Sequence, residues 1–241
     1  MIKHFYHFIL LLTFTTFVSC DSTLKNDATY FGGKIINPKS KYVLLYSMEK
    51  VIDTLFLGED NKFLGKLENA KEGLYYFIHG NENQYIYLEP QDSLMLRLNT
   101  WDFDESLVFA GKGAERNNIL IDCFLEDEKE NQMFYKFNHL EPIDFHNKAD
   151  SILKIKEQTF LDYTLKHQEE TEGFKKVLKI ALSFPIYARI ERYPIAHVKY
   201  SNKEDFHKFD NSFYTHRKLV NINNDTLMYY PPFSQYVRNF L

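Results

Sequence analysis

The sequence is short of the residues that most often carry chemistry. It has two cysteines in 241 residues, Cys20 and Cys123, and they do not form a C-x-x-C. Within the chain this excludes a disulfide framework, a dithiol redox pair and a cysteine-rich zinc knuckle. Gly111-Lys112-Gly113 lacks the second half of a G-x-x-x-x-G-K-[ST] phosphate loop, and no third glycine completes a dinucleotide fingerprint, so it reads as a turn. There is no G-x-S-x-G elbow. A Ser/His/Asp triad is defined by geometry rather than chain order and stays open at this point. Positive charge is not in surplus either: 29 Lys and Arg face 33 Asp and Glu, a net charge of −4. With no basic stripe in sight, nucleic acid is set aside as a partner.

What is present begins with an apolar leader. Lys3 supplies a positive start and residues 8–17 (F-I-L-L-L-T-F-T-T-F) an apolar stretch. Ten helical residues span roughly 15 Å, about half of a bilayer core, which reads as a signal peptide rather than a membrane span. The leader closes with Phe17-Val18-Ser19-Cys20, similar to a bacterial lipobox, in which the cysteine sulfur receives a diacylglycerol. The expectation is a signal peptide over 1–19, acylation at Cys20, a polar tether over 20–28 and attachment to a membrane of the bacterial cell envelope, with the inner and outer membranes both open. The competing reading is an ordinary secretory signal in which Cys20 is incidental.

From residue 29 to 110, short β-rich runs recur about every ten residues: 30–36, 42–47, 51–57, 63–67, 74–79, 85–88, 94–98 and 107–109. Turn formers such as Asn37-Pro38, Glu59-Asp60-Asn61 and Gly80-Asn81 separate them. After Gly111 and Gly113, which suit a sharp exit from a last strand, the apolar period changes from two to between three and four. The chain reads as α+β: an antiparallel β-sandwich or partly open barrel over 29–110, then an all-helical region over 111–241. In that region one helix is expected over 115–136 and a second from Asp144 or Asn147 to about Glu170. A third, capped by Thr171, is expected to be kinked or split by Pro185 and ended by Pro194. Ser201-Asn202-Lys203-Glu204 has the form of a capping box for a short helix. Pro231-Pro232 opens a last helix whose stripe, Phe233, Tyr236, Val237, Phe240 and Leu241, runs to the final residue, as a truncated linker helix would.

Candidate site residues are few. Cys123 lies beside Phe124 on an apolar helix face and reads as a core cysteine, with a redox role or intermolecular disulfide as the competing reading. The histidines beyond the leader show no H-x-x-x-H spacing; His139 and His146, flanking Glu141 and Asp144, are the one weak metal-binding arrangement, and no metal or cofactor is expected. The acidic run 126–130 reads as a solvated helix face. Trp101 with Tyr75, Tyr76, Tyr85 and Tyr87 is the weak ligand-binding candidate, a sugar-stacking platform on the sheet, with core packing as the alternative.

A set of segments carries a family resemblance: G-K-I-I-N at 33–37, D-T-L at 53–55, N-K-F at 61–63, E-G-L-Y at 72–75, Y-L-E-P-Q-D-S at 87–93, F-A-G-K-G-A-E-R-N at 109–117, V-N-I-N-N-D at 220–225 and Y-Y-P-P-F-S-Q-Y-V at 229–237. In order and spacing they resemble the N-terminal, non-catalytic region of TlpA-like thiol-disulfide oxidoreductase lipoproteins of Bacteroidota. In that family the chemistry resides in a C-terminal thioredoxin domain with W-C-x-x-C, which this sequence does not contain. The resemblance therefore implies no catalytic residue here. It implies an anchored module that positions or recognises a partner, a thioredoxin-like protein among the candidates. A stand-alone glycan- or peptide-binding lipoprotein and the anchoring half of a split disulfide reductase are the alternatives.

Overall fold

The computed structural model describes residues 28–201, 209 and 211–241. Cys20, the leader, most of the tether and the capping box at 202–204 lie outside the described residues. Eight strands come first: β1 (Thr29–Ile36), β2 (Tyr42–Ser47), β3 (Lys50–Phe56), β4 (Lys62–Leu67), β5 (Gly73–His79), β6 (Glu82–Leu88), β7 (Ser93–Asn99) and β8 (Val108–Ala110). They form two four-stranded sheets, a first in the order β4-β1-β7-β8 and a second in the order β3-β2-β5-β6. Strict alternation explains why two sheets form: Phe31, Ile35, Leu94, Leu96 and Leu98 of the first meet Val43, Leu45, Phe77 and Ile86 of the second in one core. The sheets are not closed into a barrel, and β1 pairs with β7 in parallel, the exception to an otherwise antiparallel pattern.

The helical half consists of α1 (Ala114–Phe137), α2 (Pro142–Lys166), α3 (Glu172–Ser201), 3-10 segments at Asn211–Leu219 and Asp225–Leu227, and α4 (Pro231–Phe240). The fold class is α+β, as the change of period at Gly111 indicates. Both glycines of that turn are required by geometry. Gly111 and Gly113 have φ of 87° and 94°, and a Cβ would lie 2.1 Å from the Ser93 carbonyl oxygen or 2.8 Å from an Asp92 carboxylate oxygen.

Two expectations are corrected here. Helix α3 runs through both Pro185 and Pro194. Ile180, Ala181, Leu182, Phe184, Ile186, Tyr187, Ala188 and Ile190 are all buried, so α3 is the central helix of this half, and burial on every side outweighs the missing proline donors. The run 126–130 is a solvated face only in part: Glu126, Glu128 and Lys129 are exposed, whereas Glu130 is buried, with Lys156 of α2 2.6 Å from it and 2.8 Å from Glu126, and Arg189 of α3 reaches Asp127 at 2.6 Å. The apolar stripe of α4 is covered within this chain at Phe233, Tyr236 and Val237, while Leu241 is exposed. Phe233 and Tyr236 are fully buried, with their rings 5.7 Å and 5.2 Å from that of Phe184, and Asn239 donates to the Ala188 carbonyl. Thr171 caps α3 as expected, its hydroxyl accepting the Phe174 N–H at 3.1 Å.

Candidate functional site

The segments 87–93 and 109–117 converge where the sandwich meets the helices. Arg116, in the first turn of α1, is buried and directs different N–H groups along the edge of its guanidinium at three carboxylates. Nη2 lies 3.1 Å from Glu89, Nη1 3.0 Å from Asp92 and Nε 3.0 Å from Glu170. Glu89 and Asp92 belong to the β6–β7 turn and Glu170 to the α2–α3 turn, so one cation ties three chain segments together. Asp92 Oδ2 also accepts the Glu89 N–H, while its buried Oδ1 has no hydrogen-bond partner. Alongside, Glu72 accepts hydrogen bonds from the hydroxyls of Tyr87 and Thr171, each at 2.6 Å.

The next two residues close the sheets. Asn117 accepts the Tyr87 N–H and donates to the Tyr87 carbonyl; Asn118 does the same for Phe109. Tyr87 is on β6 and Phe109 on β8, the outermost strands of the second and first sheets. Consecutive amides of α1 therefore act as substitute strand residues, one for each sheet edge, and satisfy backbone groups that would otherwise be buried unpaired. The sequence reading missed this. The signal was the Arg-Asn-Asn run directly after a turn: three polar residues at the start of a helix that continues Ile119-Leu120-Ile121.

The named candidates are placed as follows. Cys123 is buried in the helical core, and burial pushes its thiol up to about 12, so it carries almost no thiolate at neutral pH. Trp101 is 76% exposed on the connection after β7. The tyrosines do not join it: Tyr75 points into the sandwich core, whereas Tyr76, Tyr85 and Tyr87 lie on the opposite face of the second sheet. Alternation along β5 separates neighbours 75 and 76, so the proposed platform does not assemble. His79 bonds to the backbone of Lys39 and Tyr42, His216 pairs with Glu191, and His146 pairs with Asp150. Among the described residues no group of three His, Cys, Asp or Glu side chains is arranged to hold a metal ion.

An open cleft of about 400 Å³ does lie on the helix-facing side of the second sheet. Met48, Lys71, Glu72, Leu74, Tyr87 and Lys176 line it. A narrower extension shares Met48 and Leu74 and reaches Tyr76, Tyr85 and Tyr229. Tyr46 and Tyr76 stack at 4.6 Å between centroids, Tyr76 and Tyr85 lie at 5.5 Å, and Tyr85 meets Tyr230 at 5.5 Å, which gives a continuous aromatic row leading into the cleft.

No family model matches this sequence, and neither a curated protein nor a solved structure does.

Burial holds the Asp92 and Glu170 carboxyls above the usual carboxylate range and outweighs the attraction of Arg116. Between about pH 4, where an unfolded carboxyl loses its proton, and these raised values, the folded chain binds more protons than the unfolded one, so both groups lower stability as pH rises through that window. Glu72 has the opposite sign. The Thr171 and Tyr87 hydroxyls lower its pKa, so its contribution is present above the usual carboxylate range and lost as pH falls through the lowered value. Asp92→Asn removes one of the groups of the first kind. Its urea midpoint, measured against the parent, should improve as the pH is raised from about 4 to about 7; a difference flat in pH would contradict the assignment.

Proposed function

We propose that this chain is a non-catalytic recognition module anchored in the bacterial envelope through Cys20, the counterpart of the N-terminal half of TlpA-like lipoproteins. The observation that carries this reading is the use made of the resembling segments. Asp92, Gly113, Arg116 and Asn117 are engaged in fixing the sandwich to the helices, and the side chains of Asp92, Arg116 and Asn117 are buried in that joint. The one described thiol is sealed in the core. A thioredoxin-like partner on α4 would meet only Phe240 and Leu241, because Phe233, Tyr236 and Val237 are buried within this chain. In an insulin-reduction assay the full chain and its Cys123→Ala variant should match the buffer control; activity that disappears with Cys123→Ala would contradict the proposal.

A second reading is favoured by the tyrosine row beside the cleft: a glycan or peptide ligand, oriented by ring stacking and by Lys71, Lys176 and Glu72 at the rim. If arrays reveal such a ligand, Tyr76→Ala should weaken binding by about tenfold, a loss of about 1.4 kcal/mol, while Trp101→Ala leaves it unchanged. Binding that survives Tyr76→Ala and is lost with Trp101→Ala would move the site to the β7–β8 connection.

A further inference from the structure

The outer face of the first sheet has a charge pattern that its own stability does not explain. The register sets Lys62 of β4 beside Lys34 of β1, and Lys34 beside Arg97 of β7. Like charges on directly neighbouring strand positions are destabilising, yet here three cations stand in one row about 10 Å long. Lys62 has Asp60 at 2.5 Å and Lys66, further along β4, has Glu68 at 3.1 Å, both at the rim of the sheet. Among the described residues, Lys34 and Arg97 have no carboxylate partner. None of the outward positions of β1, β4, β7 and β8 is acidic, in a chain whose net charge is −4.

Apolar side chains share this face. Leu64, lying over Gly32, is 63% exposed, and Val108 at the end of the cationic row is 52% exposed. The described helices pack on the second sheet and against β8, and leave this surface open. Cations that flank exposed aliphatic side chains on a flat sheet complement a surface with negative charge above an apolar layer.

We propose that the outer face of the first sheet rests on an anionic phospholipid surface, with Lys34, Lys62 and Arg97 at the headgroup phosphates and Leu64 and Val108 at the apolar boundary. The choice of a bilayer over a soluble polyanion rests on the reading of Cys20 as the anchor. Eight residues lie between Cys20 and Thr29 at the start of β1, nine Cα steps with a reach of at most about 30 Å, so the chain would enter this sheet directly from the membrane.

The test is co-sedimentation of the full chain with vesicles of phosphatidylcholine alone or with about a third phosphatidylglycerol, read as the ratio of anionic to neutral binding so that insertion of the apolar leader cancels. The Lys34→Gln/Arg97→Gln variant, both positions exposed, should lower that ratio by about 30-fold, and high salt should remove the parent's preference. A ratio unchanged by the double substitution, or capture of soluble polyglutamate with no preference for anionic vesicles, would overturn the proposal. Labelling of Cys20 with radioactive palmitate reports on the anchor separately. Labelling with an unchanged ratio refutes the membrane face alone, and a charge-dependent ratio without labelling refutes the anchor alone.

Discussion

One guanidinium facing three carboxylates is the constraint on which the arrangement of this protein depends. Arg116 draws Glu89 and Asp92 from the sandwich and Glu170 from the helices to a single buried point, and the helix that carries it begins at a glycine too close to Asp92 to tolerate a side chain. A buried cluster of this kind adds little net stability compared with well-packed apolar residues, because desolvation offsets attraction. What it does is penalise every other placement of α1, since any shift leaves charges unpaired in a dry environment. The two asparagines that follow add the same kind of specificity, each usable only if a particular strand edge lies beside it.

The orientation of the whole chain follows from that joint. With α1 fixed on the edges of both sheets, α3 can serve as the buried axis of the helical half, and α4 covers its remaining side. The helices then cover one face of the second sheet, where the cleft and the tyrosine row lie, and leave the outer face of the first sheet open. The two surfaces proposed for recognition and for membrane contact are thus on opposite sides of the sandwich, an arrangement that suits an anchored module presenting a site away from its membrane.

Much of the architecture was legible from the sequence because it depends on local periodicity. The strands begin and end within a few residues of the apolar runs, and the turn at Gly111 and Gly113 lies where the period changes. What was not legible depends on contacts between distant segments. The parallel pairing of β1 with β7 leaves no local mark. Pro185 and Pro194 argue locally against a continuous helix and are overruled by the packing around α3. Within the acidic run 126–130, Asp127 and Glu130 look as solvated as their neighbours until Lys156 and Arg189 arrive from other helices. Trp101 and the tyrosines drew attention by residue type, but alternation and the change of sheet separate them. The cationic row was hidden for the same reason: Lys34, Lys62 and Arg97 are far apart in sequence and become neighbours only through strand register.

The most direct test of this account is urea unfolding of Arg116→Met followed by two probes, the fluorescence of Trp101, the chain's single tryptophan, for the sandwich and far-ultraviolet circular dichroism for the helices. In the parent the two transitions should coincide. In the variant the chain should lose about 3–5 kcal/mol and the two transitions should separate, because the carboxylates left behind oppose the joint between the halves. Coincident transitions at an unchanged midpoint would show that Arg116 does not hold the halves together.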